Sequence, residues 1–371
     1  MNKMSRLKIG LTATSLNCEH LRGMGKYLLE MTGRTRAEDS IDWVFFGQNK
    51  YETFHRPNGV PVSVDLFDLK GDRLHLWEQI GVPLRGRHHK VDVLHYTENS
   101  MSWWQPVPSV ITIHDTIPWE SGEPSFYWDR LLPRALHRCA HVITISESSR
   151  QDILKHWPRL EPKLTVIPHG IDAAYFGDDE AKTPTMLKDL QGKPYLLYLG
   201  GPMARKRFDW ALEVLGRTPL ADLQLIAIGF GGKARAEARR NVPEPMRSRV
   251  HFAPFVDDEA LRALYRQAQA VLYPTLYEGF GFPAVEAQAS GVPVLMSALG
   301  SLKELIGPLA VVLPAHDVEA WVAAVLEACA RPTAARAELA QRARSWAERF
   351  AWSVSYEKHL SVYRQVIAER Q

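Results

Sequence analysis

The sequence predicts an α/β protein made of two doubly wound domains, each with a parallel sheet. Three observations carry this. Short apolar, strand-like runs alternate with helix-like segments twice over, once before residue 177 and again after residue 193. At 371 residues the chain exceeds one ordinary core and suits two. Between Gly177 and Lys193 the periodicity fades into Asp178, Asp179, Glu180, Pro184 and Gly192, which read as an interdomain linker.

The first domain is expected over 1–180. Its strands are Leu7–Ala13, Trp43–Phe46, Val62–Leu66, Val91–His95, Val110–Ile113, His141–Ile145 and Leu164–Ile167. A helix is expected from about Lys26, and Ser146 caps another that starts at Glu147. The second domain, 190–345, takes strands Tyr195–Leu199, Gln224–Ile228, Val250–Phe252, Val271–Tyr273, Val292–Met296 and Ala310–Leu313. Helices Asp209–Leu215 and Asp258–Gln269 fill two of the gaps. Residues 346–371 read as a C-terminal helix whose Trp346, Phe350, Trp352, Tyr356 and Tyr363 are too aromatic for a surface tail. These rings either pack back across the domain junction or close the second domain's own core.

Composition narrows the function. A hydrophobic content of 46% with 23% charged residues fits a globular protein, and a net charge of +3 is too small to argue for a nucleic-acid partner. Cys18, Cys139 and Cys329 are odd in number, widely spaced and form no metal pattern, which suits a reducing, cytoplasmic setting. The apolar run near the N-terminus is too short for a secretory leader, and no segment reaches bilayer-spanning length. Any membrane contact is therefore expected to be peripheral, at the inner face of the cell membrane.

Doubly wound sheets bind ligands beyond the carboxyl ends of their strands. The notable residues fall in such loops. Ala270–Gly291 reads as strand, glycine loop and helix N-terminus, with Glu278 in the loop, Pro283 at the helix start and Glu286 in its first turns. Gly279, Phe280, Gly281 and Phe282 lie between the acids. Amide groups and a helix dipole there suit a phosphate, while the two carboxylates suit hydroxyls. A ligand with a central diphosphate and hydroxyls at both ends is a nucleotide sugar. The plainer reading makes Glu278 a loop acid and Glu286 an ordinary N-terminal helix acid.

Gly200–Arg207 follows another strand and ends in Arg205, Lys206 and Arg207. Arg205 forks onto phosphate oxygens and Lys206 adds a point charge, or both belong to a solvated basic turn. Arg22, Gly23, Met24 and Gly25 follow the first strand and either approach the pyrophosphate or acceptor or make an ordinary turn. His114, at a strand end before Asp115, donates to a sugar hydroxyl or to a backbone carbonyl. His169 reads as structural. Asp178–Asp179 and Asp257–Asp258 read as linker and helix-start acids rather than a metal–diphosphate grip, so no metal and no further cofactor are expected.

Taken together, these residues resemble a known family. Glu278 and Glu286, with seven residues between them, resemble the E-x7-E signature of retaining GT-B glycosyltransferases, similar to family 4 and to bacterial mannosyltransferases. Arg22–Gly25 resembles that family's N-terminal glycine loop, Arg205–Lys206 its diphosphate-binding pair, and Ser146 and Pro168–Asp172 follow in family-like order. Where the family usually has Asn, this chain has His169 and Arg207. The resemblance implies two Rossmann-like domains facing across a cleft, with the last helix crossing back. It implies Glu286 on the donor's ribose, Glu278 and Gly279–Phe282 on the transferred sugar, Arg205 and Lys206 on the diphosphate, and His114 near the sugar. The stretch Ile113–Pro118 is most similar to mannosyl- and rhamnosyltransferases of surface polysaccharides, favouring GDP-mannose as donor.

The acceptor implied is a glycan or a lipid-linked oligosaccharide. Arg85, Arg87, His88, His89 and Lys90, with Trp103, Trp104, Trp119 and Phe126–Trp128, suit an anionic membrane surface or else form a buried aromatic core with solvated cations. Other functions stay open: a dTDP- or UDP-sugar donor, a GT-B isomerase, a two-carboxylate hydrolase that leaves Arg205 and Lys206 without a use, or a nucleotide-sugar sensor.

Overall fold

The computed structural model describes residues 6–19, 21, 23–48, 53–68, 75–116, 126–177, 184, 188, 190–253 and 256–370. The chain divides into two compact units. One takes in Met1–Gly170 and Ala351–Gln371, the other Ile171–Phe350.

The first unit holds a seven-stranded sheet: β1 (Leu7–Thr12), β2 (Ile41–Gly47), β3 (Val62–Leu66), β4 (Val93–Tyr96), β5 (Ser109–Ile113), β6 (His141–Thr144) and β7 (Leu164–Val166). Their order is β3-β2-β1-β4-β5-β6-β7, parallel throughout. Strands such as β5 are buried along their whole length, which is why they read as largely apolar runs without polar alternation. Helix α1 (Gly23–Gly33) starts before the expected Lys26. Two further helices, α2 (Val82–His88) and α3 (Leu132–Arg138), each follow a π-helical turn, at Trp77–Gly81 and Tyr127–Leu131. Both carry proline at their start, at Pro83 and Pro133. Pro83 has no N–H to offer the Gln79 carbonyl, which instead accepts from the Ser102 hydroxyl at 2.7 Å. Ser146 caps α4 (Glu147–His156), accepting from the Ser149 N–H at 3.0 Å as the sequence predicts.

The second unit holds a six-stranded parallel sheet: β8 (Tyr195–Leu199), β9 (Gln224–Ile228), β10 (Val250–Phe252), β11 (Ala270–Tyr273), β12 (Val294–Met296) and β13 (Ala310–Val312). The order β10-β9-β8-β11-β12-β13 makes β8 and β11 neighbours at the point where the winding reverses. Its helices are α5 (Phe208–Arg217), α6 (Gly232–Asn241), α7 (Asp258–Gln267), α8 (Phe282–Ala289), α9 (Val318–Ala330) and α10 (Thr333–Ala347). Asp257 caps α7 through the Ala260 N–H at 2.7 Å.

The division differs from the expected boundaries. The second unit begins at Ile171 rather than near 190, because residues 171–177 are held to it by α7. Arg266 donates to the carbonyls of Ala174 (3.0 Å) and Gly177 (2.6 Å). The terminal aromatic run splits at Phe350. Trp346 and Phe350 pack in the second unit, where Phe350 meets Phe280 at 5.8 Å. Trp352, Tyr356 and Tyr363 lie on the last helix, α11 (Trp352–Ala368), and belong to the first unit. Of the residues discussed above, Arg22, Ile117, Pro118, Trp119, Asp178, Asp179 and Glu180 lie outside the described residues.

Candidate active site

Because β8 and β11 are adjacent, the loops leaving their carboxyl ends meet. The first carries Gly200 and Gly201, then a 3-10 turn at Ala204–Lys206. Gly201 has φ +63°, and a Cβ there would meet the Gly229 carbonyl oxygen at 2.6 Å. The second loop carries Thr275 to Gly281. The loops are stitched by the Leu276 N–H, which donates to the Arg205 carbonyl at 2.8 Å.

At their junction stands one ion cluster. Arg205 Nη1 lies 3.1 Å from Glu278 Oε2 and donates to the Tyr277 carbonyl at 2.5 Å. The Lys206 ammonium contacts Glu278 Oε1, which also accepts from the Thr275 hydroxyl at 2.8 Å. Glu278 and Thr275 are buried. Burial lowers the Lys206 pKa, while the Glu278 charge acts against that shift. Arg205, Lys206 and Glu278, the residues expected to serve phosphate and hydroxyls, are thus in direct contact with one another.

The glycines between the two acids have distinct jobs. Ser301 donates to the carbonyls of Glu278 (2.7 Å) and Phe280 (2.8 Å), fixing the loop. Gly281 caps α8 at φ +110°, and a Cβ there would meet Leu302 at 2.7 Å. Only glycine fits both demands. Helix α8 begins at Phe282, so Pro283 holds its second position rather than its first. Phe280 and Phe282 meet edge-on at 5.2 Å. Glu286 accepts from the Tyr265 hydroxyl at 2.8 Å. Burial raises the Tyr273 phenol well above its ordinary range, and the charges of Glu278 and Glu286 add to the shift.

The first unit treats its candidates differently. Gly23 and Gly25 open α1 instead of forming a free loop, and a Cβ on Gly25 would lie 2.8 Å from the Ser15 carbonyl oxygen. His114 is buried, and its Nε2 lies 2.8 Å from the Thr97 carbonyl, which can only accept. The ring therefore donates there. Its Nδ1 lies 3.2 Å from His169 Nε2. Of the two partners the sequence offers His114, the backbone carbonyl is the one its Nε2 meets here.

Sequence reasoning missed most of the network around it. Tyr27, His95, Thr112, His359 and Tyr363 form a buried chain of hydrogen bonds joining α1, β4, β5 and α11. No spacing announces it, because its members lie far apart in sequence. Among the described residues no group of three or more His, Cys, Asp or Glu side chains comes together to hold a metal, and no helix is long and apolar enough to cross a membrane.

Comparison with known proteins decides the family. Residues 21–175 match the model for Glycosyltransferase Family 4, and residues 193–331 that for Glycosyl transferases group 1. This chain belongs to the group 1 and family 4 glycosyltransferases. Over 93% of its length the glycosyltransferase is 24% identical to O-antigen chain mannosyltransferase B of Escherichia coli, covering 96% of that protein. It is 29% identical to an MMP alpha-(1->4)-mannosyltransferase of Mycolicibacterium hassiacum, over 84% of this chain and 82% of the relative. The fold is GT-B. Anabaena Alr3699/HepE, solved with UDP and glucose, superposes with a TM-score of 0.75 at 17% identity, covering 96% of this glycosyltransferase and 99% of HepE. A sucrose-phosphate synthase from Thermosynechococcus elongatus gives a TM-score of 0.72 at 21% identity, over 98% of this chain and 100% of the other.

Proposed function

We propose that this glycosyltransferase moves mannose from GDP-mannose to a hydroxyl of a glycan or lipid-linked acceptor in bacterial surface-polysaccharide synthesis, retaining the anomeric configuration without a metal. The mannosyltransferase relatives support the sugar and the pathway class. The observation that carries the reading is the meeting of Arg205, Lys206 and Glu278 where β8 and β11 end.

The chemistry follows from charge. As the bond between the sugar's anomeric carbon and the diphosphate breaks, negative charge grows on the departing phosphate. Arg205 and Lys206 oppose that charge from a partly dry position, taking the part a divalent cation plays elsewhere. The acceptor oxygen bonds the anomeric carbon on the face the diphosphate leaves, and the acceptor proton passes to a phosphate oxygen. Glu278 and the amides of Gly279–Phe282 hold the sugar's hydroxyls, and Glu286 holds the ribose.

The test is a donor panel of GDP-mannose, UDP-glucose and dTDP-rhamnose with a glycan acceptor, run with and without EDTA. The product's anomeric configuration is read by NMR. Transfer from GDP-mannose with an α-linked product, unchanged by EDTA, is the expected result. Transfer from UDP-glucose alone overturns the donor assignment, loss of rate in EDTA overturns metal independence, and binding without turnover makes the protein a sensor.

A further inference from the structure

Glu286 does not stand alone on α8. Beside it runs α7, and Tyr265 of that helix is fully buried, with its hydroxyl 2.8 Å from Glu286 Oε2. A carboxylate only accepts, so the phenol is the donor. Burial raises the Tyr265 phenol well above its ordinary range, and the Glu286 charge raises it further, so the proton stays on tyrosine.

Tyr265 is itself fixed. The Tyr195 hydroxyl donates to the Leu264 carbonyl at 2.7 Å, tying this part of α7 to β8. The ring of Tyr175 meets that of Tyr265 edge-on, centroids 5.8 Å apart and planes at 74°. Tyr175 is 3% exposed, and its hydroxyl has no hydrogen-bond partner among the described residues. The segment bearing Tyr175 is held by the same helix, through Arg266 and through Arg262, whose guanidinium lies 3.9 Å from Asp172. One face of α7 thus carries three residues that brace residues 171–177 on one side and Glu286 on the other.

A glutamate side chain on a helix has three rotatable bonds, and a single fixed hydrogen bond to one oxygen removes most of that freedom. We propose that Tyr265 is a positioning residue that holds the Glu286 carboxylate in the orientation needed to accept from both hydroxyls of a ribose, making it the determinant of ribose over deoxyribose in the nucleoside diphosphate. This rests on the reading of Glu286 as the ribose ligand. The aromatic brace from Tyr175 keeps Tyr265 in place.

The experiment uses the full chain and calorimetric binding of GDP and 2′-deoxy-GDP to wild type, Tyr265→Phe, Tyr175→Phe and Glu286→Ala. Phenylalanine removes one oxygen and keeps the ring. Wild type is expected to prefer GDP by about tenfold or more, the scale of a hydrogen bond to a charged group. In Tyr265→Phe the preference falls to within about twofold, the donor KM rises about fivefold to tenfold, and acceptor KM and kcat stay near wild type. Tyr175→Phe keeps most of the preference, because the ring rather than its hydroxyl supplies the brace. The ratio of two affinities measured on one sample does not depend on the folded fraction, so a loss of stability cannot mimic the result. A preference that survives intact in Tyr265→Phe but vanishes in Glu286→Ala overturns the role of Tyr265 alone. A wild type that does not discriminate, with GDP binding unaffected in Glu286→Ala, overturns the ribose reading and this inference together.

Discussion

The Tyr27 hydroxyl donates to His359 Nε2 at 2.8 Å, joining α1 to α11 across 332 residues of sequence. The direction is fixed because His359 Nδ1 lies 2.8 Å from the Ser355 carbonyl and must carry the ring's proton. From Tyr27 the bonding continues through Thr112 to His95 and on to Tyr363. Tyr27→Phe leaves the buried His359 nitrogen without its donor, at a cost of about 1–3 kcal/mol. Urea unfolding of the two proteins at neutral pH measures it. A difference under about 0.5 kcal/mol would mean the network adds nothing to holding the last helix.

Acid should loosen the same region. Burial lowers the pKa of His95, His114 and His169, and that of His359 to about 4. The unfolded chain then takes up protons first as pH falls. The contribution is fully present above about pH 6.5 and is lost as pH falls toward 4, at about 1.4 kcal/mol per pH unit for each histidine involved. Urea midpoints at pH 7.5, 6 and 5 read the slope. A midpoint that does not move across that range contradicts the assignment.

Glu78 carries the opposite sign. Burial, together with the charge of Glu98, pushes its carboxyl up to about 7, against the pull of hydrogen bonds such as that from Ser100. The folded protein keeps a proton that the unfolded chain releases near 4.5, so this stabilisation is full below that pH and lost as pH rises through 7. Glu78→Gln cannot ionise. It should match wild type at pH 4.5 and exceed it in thermal midpoint at pH 8; equal midpoints at pH 8 would discount the shift.

Lys206→Ala and Arg205→Ala each remove one of the two cations beside Glu278. Turnover should fall by roughly a hundredfold or more in each, the scale of losing one preorganised charge donor, with acceptor KM little changed. Initial rates at saturating donor decide it, and rates within threefold of wild type would remove that residue from the chemistry.

The expected membrane-facing groups divide once folded. Tyr127 is core, and Asp65 pairs with Arg85 at 2.8 Å and His89 at 2.9 Å. Leu76, Ile80 and Leu84 stand 40–52% exposed along one helical stretch, with Trp103 at 43% and Phe126 at 71%. Apolar side chains beside Arg87 and Lys90 suit an anionic bilayer. The protein should sediment with phosphatidylglycerol vesicles in low salt, and Ile80→Asp/Leu84→Asp should weaken this severalfold. Identical sedimentation by the double variant would rule out this face.

Much of this could be read from sequence because buried parallel strands announce themselves. Tyr195–Leu199, Gln224–Ile228 and Val250–Phe252 stand where their apolar runs predict. The start of α1 is harder, since Gly23 and Gly25 read as loop, and only the close approach of Ser15 shows why Gly25 stands in the helix. The contact of Lys206 with Glu278 depends on strand order, and no local pattern encodes the adjacency of β8 and β11. The histidine network is harder still, because it is written in four separate elements that share nothing until the sheet assembles.

The way the chain passes between its two units has a topological consequence. The Ile171 N–H donates to the Phe350 carbonyl at 2.7 Å, and a Cβ on Gly170 would lie 2.5 Å from the Trp352 backbone. The chain thus leaves and re-enters at one spot, and the second unit is a continuous insert within a discontinuous host. Excising 171–350 leaves two ends a short peptide can join, with little loop-closure entropy lost. Exchanging the insert between relatives would leave the host unit uncut.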